Sequence, residues 1–430
     1  MLGATLTFGL LGATLATGSM VGIALTLFGL LIIEFQFDGN YSVLGDSLWN
    51  IFNSFALTAL PMFIFLGELL AKTGISQRIY GAIAPLFNRL PGQLIQTNIG
   101  ACTLFSAVSG SSQATAAVVG SIAYGELKKR NYPPRWIAGS IAGGGTLGIL
   151  IPPSLPFIIY GWWQEVSIGK LFVAGIIPGA LLAGMFMLYI GYCAKRRPQE
   201  FPPPEAPIPL GRAILASAHA WPFLALIFAV LGTLIMGLAT PTESAALGAA
   251  TAMVLAVLYR QFSLRMVWDA LIDTVLIMST ISMVIVGATV LSQAMALSGI
   301  PGAMAKAVTE SGLPAIVILI AVYAMYIVLG CVLAAIEMML ITLPFTFPLI
   351  VAIGYDPVWF GVALVVLIEI GLLTPPVGMN MFIVMAITRG EMTLGEVARA
   401  CIPFWSIQVL LLMLITIFPQ IVMFLPNLLF

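Results

Sequence analysis

Residues 132–153 read YPPRWIAGSIAGGGTLGILIPP, and the pattern returns without a gap 223 residues later as YDPVWFGVALVVLIEIGLLTPP over 355–376. Five landmarks hold that offset: Tyr132 with Tyr355, Pro134 with Pro357, Trp136 with Trp359, Gly148 with Gly371, and Pro152-Pro153 with Pro375-Pro376. Each copy is apolar for long enough to cross a bilayer, and each carries a Pro-Pro interruption partway along. Membrane helices broken at corresponding points of two halves are the best pointer in a sequence to a secondary transporter, with its site where the repeats meet. The plainer alternative is that Pro-Pro merely kinks two ordinary helices, and the shared offset argues against it.

Composition identifies the solvent. The 430 residues are 60% hydrophobic and 8% charged, with a mean hydropathy of +1.09. A soluble domain carries about 25% charged residues, so this chain belongs in a lipid bilayer. The formal net charge is zero, which argues against a nucleic-acid partner. Cys102, Cys193, Cys331 and Cys401 stand singly in apolar segments and read as packing residues, not as a disulfide or metal framework. The single histidine, His219, cannot build a zinc site, and the first basic residue is Lys72, so no basic leader precedes the apolar start.

The halves are separated by the polar, proline-rich run 195–212, which reads as an extended cytoplasmic tether between a first repeat over 1–194 and a second over 213–430. At about 20 residues per crossing, the candidate spans are 19–33, 51–70, 136–161, 171–193, 221–238, 244–259, 270–297, 359–387 and 401–425. The opening stretch 2–33 is read as two short passes broken near Gly18, by analogy with the break at Pro241. Segment 76–90 places apolar groups beside Arg78 and Arg89 as an interfacial helix would, and offers Tyr80 and Phe87 to a membrane partner.

Residues 93–125 are almost wholly apolar yet hold Ser109-Gly110-Ser111-Ser112 at their centre. Arg78 and Arg89 precede them; Lys128, Lys129, Arg130 and Arg135 follow. Lys and Arg collect on the cytoplasmic side, so both ends lie there and the segment reads as a re-entrant hairpin. Its non-helical tip requires protein or a water-filled cavity to satisfy its backbone. The same offset places a second tip at Val332-Leu333-Ala334-Ala335 within 313–353, with sparse basic flanks that suggest the outer side. The expected fold is therefore an all-α polytopic membrane protein, an inverted-topology repeat with two re-entrant helical hairpins and two Pro-Pro-broken helices. Charge along the loops puts the N-terminus outside.

Gly, Ser and Thr at broken helices expose the hard oxygen ligands that sodium prefers, and half-helix N-termini suit a carboxylate. The candidate sodium ligands are Ser106, Ser109, Gly110, Ser112, Gly145, Gly148, Gly330, Gly371 and Thr374. The candidate substrate contacts are Ser111, Thr115, Pro153, Ser154, Pro376 and Asn380. Small residues would equally serve close helix packing. Of the intramembrane carboxylates Glu68, Glu243, Glu337 and Glu369, the last two are candidates for an ion or a proton, or are structural groups capped by the backbone. A Ser–His protease is excluded, because the only histidine, His219, stands at the end of the polar linker, away from the serine-rich tip. A channel would not need paired broken helices.

The chain resembles the large membrane (M) subunit of the tripartite ATP-independent periplasmic (TRAP) transporters, in the dicarboxylate and sialic-acid branch. The resemblance covers nearly the whole chain. It is carried by Leu60-Pro61-Met62-Phe63-Ile64-Phe65-Leu66-Gly67-Glu68-Leu69, by Phe105-Ser106-Ala107-Val108-Ser109-Gly110-Ser111-Ser112-Gln113-Ala114-Thr115, by Gly148 to Ser154, by Pro241-Thr242-Glu243, and by Glu369 to Gly378. It implies sodium-driven uptake of an organic acid anion across a bacterial or archaeal cytoplasmic membrane, with co-transported sodium ions and an elevator motion. It also implies two partners, a small four-helix membrane subunit (Q) and a periplasmic substrate-binding protein (P), and no enzymatic activity. A stand-alone sodium/carboxylate symporter is the alternative. One departure stands out: Leu333-Ala334-Ala335-Ile336-Glu337 occupies the second tip, where the family commonly has an acidic residue and Gly.

Overall fold

A computed structural model describes residues 21–37, 39, 41–203 and 209–430, and every regular element among them is helical. In chain order these are α1 (Val21–Phe37), α2 (Ser42–Phe52), α3 (Ala59–Lys72), α4 (Ile75–Phe87), α5 (Leu94–Ser109), α6 (Ser112–Lys129), α7 (Pro134–Leu150), α8 (Leu155–Trp163) and α9 (Ile168–Arg196). After the tether come α10 (Leu210–Ile235, with a π turn at Phe228–Gly232), α11 (Pro241–Leu258), α12 (Leu264–Ser298) and α13 (Ile300–Glu310). They are followed by α14 (Ala315–Gly330), α15 (Ala335–Ala352), α16 (Pro357–Leu373), α17 (Met379–Ile387), α18 (Leu394–Ile417) and α19 (Gln420–Leu429). Among the described residues, 8 helical stretches are long and apolar enough to cross a membrane.

The two sequence landmarks become the same four-element unit. A helical hairpin (α5–α6, then α14–α15) is followed by a helix interrupted at Pro-Pro (α7–α8, then α16–α17). The interruption has a local cause: proline has no N–H to donate and its ring clashes with the preceding turn. Pro134 and Pro357 sit at the first turns of α7 and α16, where a missing N–H costs nothing. Asp356 caps α16, its Oδ1 accepting from the Val358 and Trp359 N–H groups at 2.7 and 3.2 Å.

Several expected boundaries move. The span expected at 51–70 is α3, preceded by the separate helix α2 and a short 3-10 turn, Phe55–Thr58. The tether drawn at 195–212 is shorter at both ends, because α9 runs to Arg196 and α10 begins at Leu210. Its first part is not loose: Glu200 pairs with Arg135 and accepts from Trp136 Nε1 at 3.4 Å, and the Phe201 ring lies 4.9 Å from that of Trp136. The span expected at 401–425 is two helices, α18 and α19, because Pro419 interrupts it. Of the double pass read in 2–33, only α1 falls among the described residues; the break near Gly18 lies outside them.

Two packed groups result. The hairpins and broken helices pack on one another and on α9 and α18, while α1, α3, α11 and α12 pack together beside them. In the second group α1 crosses α12 closely because glycines line the crossing. A Cβ at Gly22 would stand 2.5 Å from Met283 O, and one at Gly29 2.8 Å from Leu291 N. Small residues are what bring membrane helices this near. Large apolar side chains such as Leu188, Leu264, Trp268, Val275 and Ile417 remain exposed, as a lipid-facing surface requires.

The interfacial arm expected over 76–90 is α4, but it does not offer Tyr80 outward. Ile79, Tyr80 and Ile83 are buried, α4 packs on α5, and the Phe87 ring presses on Gly100. The apolar face is spent on the first hairpin.

Candidate functional site

Each hairpin tip is tied by a backbone hydrogen bond to the break of its own repeat. At the first, α5 ends on Gly110 in the left-handed region (φ 62°) and Ser111 starts α6, its Oγ accepting from Ala114 N–H at 3.3 Å. The N–H of Leu155, just past Pro152-Pro153, donates to Gly110 O at 3.1 Å. At the second, Cys331–Ala334 form the tip and the N–H of Val377, just past Pro375-Pro376, donates to Cys331 O at 3.0 Å. Breaking a helix frees backbone donors, and a tip frees acceptors; here each satisfies the other.

The two tips meet at a cavity of about 340 Å³. The first contributes Ser109 to Ala114, and the second Ala334, Ala335, Ile336 and Glu337. The facing wall comes from the other helix group: Ile64, Gly67 and Glu68 of α3, and Ile277, Thr280, Ile281 and Val284 of α12. A site of this size enclosed by apolar walls and a few polar groups suits a small organic molecule.

Of the predicted sodium ligands, Ser109, Gly110 and Ser112 line this cavity. Behind them, Ser109 Oγ lies 2.7 Å from Thr115 Oγ1 and 3.4 Å from Ser111 O. Gly148 makes that convergence possible, because a Cβ there would meet Ser111 O and stand 2.6 Å from Thr115 Oγ1. Two oxygens thus lie against this glycine, and the Ser109 hydroxyl reaches both. Gly145 fits against Ala116 and Gly144 against Cys102, so much of the glycine run is a packing face. Ser106 is turned inward, its hydroxyl donating to Cys102 O at 2.6 Å. In the second repeat Gly371 abuts Gly330 backbone to backbone, and Thr374 donates to Ile370 O at 2.6 Å.

Among the predicted substrate contacts, Ser111 lines the cavity. Thr115 is buried with its hydroxyl on Ser109, and Ser154 is buried with its hydroxyl on Ile149 O at 2.5 Å. Asn380 is buried and joins the repeats, its Nδ2 donating to Ser112 Oγ at 2.7 Å. Pro153 is buried at the first break and Pro376 exposed at the second; neither lines the cavity. The carboxylates divide. Glu337 lines the cavity and accepts from Ala334 N–H at 3.4 Å. Glu369 is completely buried in α16, and neither of its oxygens has a partner among the described residues. Glu243 caps α11 through Thr240, and Glu68 stands on the cavity wall. Thr280 and Gln113 line the cavity although the sequence did not single them out; contact across distant segments leaves no local pattern.

Residues 8–421 match the family model described as the DctM component of the tripartite ATP-independent periplasmic transporter. The chain is 34% identical over 387 residues to the C4-dicarboxylate TRAP transporter large permease protein DctM of Pseudomonas aeruginosa, covering 89% of each chain. It is 30% identical over 426 residues to the sialic acid TRAP transporter large permease protein SiaM of Vibrio cholerae, covering 98% of this chain and 97% of that one. A solved structure, the YdaH transporter of Alcanivorax borkumensis, superposes with a TM-score of 0.65 at 15% identity, over 91% of this chain and 96% of that chain, and shares the fold. The chain is thus a multi-pass membrane transport protein, not an enzyme, and it belongs to the tripartite ATP-independent periplasmic transporter family as its large membrane component.

Proposed function

We propose that this chain imports a small organic acid anion with sodium, receiving it from a periplasmic binding protein and working beside a small membrane subunit. The observation that carries the reading is the cavity shared by both hairpin tips, with hydroxyls and a helix N-terminus on one side and a second helix group as its wall. Relatives named for C4-dicarboxylate and sialic acid support an acidic substrate. The oxygens of Ser109, Ser111 and Thr115, the last two lying against Gly148, are the sodium ligands the geometry favours; Gly330, Gly371 and Thr374 mark the corresponding corner of the second repeat. The hairpins and broken helices form the moving body, and α1, α3, α11 and α12 form the scaffold past which it carries substrate. Rigid-body displacement of one unit against another is the usual route to alternating access in repeat-built transporters.

The test is uptake by proteoliposomes holding this chain and a small membrane subunit of the same family. Accumulation should need both an inward sodium gradient and the binding protein. Ser109→Val should raise the sodium concentration for half-maximal uptake. Full uptake without binding protein would favour a stand-alone symporter, and unchanged sodium dependence in the folded variant would remove the proposed ion site.

A further inference from the structure

The two ends of the cavity carry opposite electrostatic character. At the first tip, α6 presents its N-terminus. Ala114 N–H is taken by Ser111 Oγ, whereas the N–H groups of Ser112 and Gln113 have no hydrogen-bond partner among the described residues. Unpaired N–H groups at the positive end of an 18-residue helix attract an anion. At the second tip the equivalent position is already filled, because Glu337 folds back onto Ala334 N–H at the start of α15. The helix end that would have received a second anionic group holds an internal carboxylate instead. The facing wall adds Glu68. Among the described residues lining the cavity, Glu68 and Glu337 are the charged ones, and none is Lys, Arg or His. Lys72, one turn beyond Glu68, is held by Asp273 at 2.5 Å and does not line the cavity.

From this asymmetry we infer that the cavity selects a monocarboxylate with a hydrogen-bond-donating far end, an amino or hydroxy acid, over a dicarboxylate. The inference rests on the transport reading above and narrows its substrate class. The acid group faces Ser111, Ser112 and Gln113. The ammonium or hydroxyl group faces Glu337 and Glu68, which act as specificity-determining residues. A dicarboxylate would bring its second negative charge against two carboxylates with no cation beside them, and selectivity of this kind is built as much by repulsion of the wrong ligand as by attraction of the right one.

The sign of the cavity can be measured without knowing the natural substrate. With Cys102, Cys193, Cys331 and Cys401 replaced, Thr280→Cys places one thiol on the cavity wall of the full chain in its complex. Its rates with a cationic and an anionic methanethiosulfonate are compared after division by the same ratio for a free thiol. The cationic reagent should be favoured by about tenfold, as in clefts lined by one sign of charge. Glu337→Gln and Glu68→Gln should each lower that preference while the circular-dichroism spectrum is retained. Protection of the same thiol is then read with 4-aminobutanoate, 4-hydroxybutanoate and succinate, which share a four-carbon length. The two monocarboxylates should protect at lower concentration than succinate, and Glu337→Gln should narrow or reverse the order. A corrected ratio at or below one, or protection by succinate as good as by the monocarboxylates, overturns the inference; where none of the three protects, the ratio alone decides it. Neither reading depends on uptake. A chain that imports nothing would still show the charge preference, and one that imports without showing it refutes the substrate class alone.

Discussion

Gly371→Ala tests whether the second hairpin and the second broken helix are held at contact distance by the absence of side chains. The added methyl would lie 2.6 Å from Gly330 Cα, 2.8 Å from its carbonyl carbon and 2.9 Å from its oxygen. Ordinary carbon contacts sit at about 3.5–4.0 Å, so α16 and α14 must separate by nearly an ångström. No flexible side chain is available to yield, because the obstruction is backbone. Overpacking of this kind costs about 1–3 kcal/mol, and the better helix propensity of Ala returns about 0.5–1 kcal/mol. The expected net loss is therefore about 0–2.5 kcal/mol against wild type, and about 1–3 kcal/mol against a Gly→Ala control that gains the propensity without the clash. Gly302→Ala is the matched control, since nothing lies within 4 Å of a Cβ there, and it should be neutral or slightly stabilising. Denaturant titration of the solubilised complex, with each variant beside wild type, gives the comparison. If Gly371→Ala is as stable as Gly302→Ala, the close crossing is not a structural requirement and the reasoning fails.

Further outcomes follow from the same geometry. Asn380→Ala should cost about 1–3 kcal/mol, because it removes the amide that Ser112 accepts across the repeats and breaks a buried polar pair; an unchanged midpoint would mean the link carries no load. Glu369→Met should leave the midpoint equal or higher, since neither carboxyl oxygen has a partner in the fully buried site and an apolar group of similar size relieves that burden; a lower midpoint would reveal a ligand for the carboxyl. The Lys128 ammonium, with Tyr124, holds the Glu391 carboxyl below the usual carboxylate range. A depressed value means the contact is fully present above that range and is lost as pH falls through Glu391's own lower value. Hydrogen exchange at 388–393 should accordingly rise on strong acidification, after correction for intrinsic rates, and Glu391→Gln should show the loosened state already at pH 7. Trp162 Nε1 donates to Ser54 Oγ at 3.1 Å, joining a broken helix to the segment before α3. Cysteines at those two positions, bridged by a short bifunctional thiol reagent after removal of the native cysteines, should stop uptake until reduced; normal transport with the bridge complete would rule out an elevator.

What was legible in the sequence was legible for local reasons. Pro152-Pro153 and Pro375-Pro376 announce themselves because proline stops a helix wherever it occurs, and Ser109 to Ser112 stand out because hydroxyls are rare inside an apolar run. Among the described residues, helix is interrupted at Gly110-Ser111, at Cys331–Ala334 and at both Pro-Pro pairs. The glycines at 143–148 were ambiguous at that level, since a packing face and an ion site call for the same residues. Only the three-dimensional neighbours divide them, giving Gly144 and Gly145 to Cys102 and Ala116, and Gly148 to the oxygens of Ser111 and Thr115. The scaffold wall was illegible for the opposite reason. Ile64, Gly67, Thr280 and Val284 belong to ordinary apolar helices, and what brings them to the cavity is the approach of segments about forty or more residues away in sequence. Tyr80 shows the same blindness in reverse, reading as an outward anchor while being buried against the first hairpin.

The internal repeat also explains why the two halves of the site need not be chemically alike. Duplication preserves what the backbone demands: a hairpin, a tip, a proline break, and one hydrogen bond from just past the break to the tip. It places no constraint on the side chains that face the cavity. The first tip kept hydroxyls and an open helix N-terminus, while the second holds Ala334, Ala335 and a carboxylate that closes its own helix end. A symmetric pair of open helix ends would bind two like-charged groups equally well. An open end opposite a filled one would bind a ligand in a single orientation, and on the substrate class inferred above it is this difference between the tips, not their likeness, that distinguishes one organic acid from another.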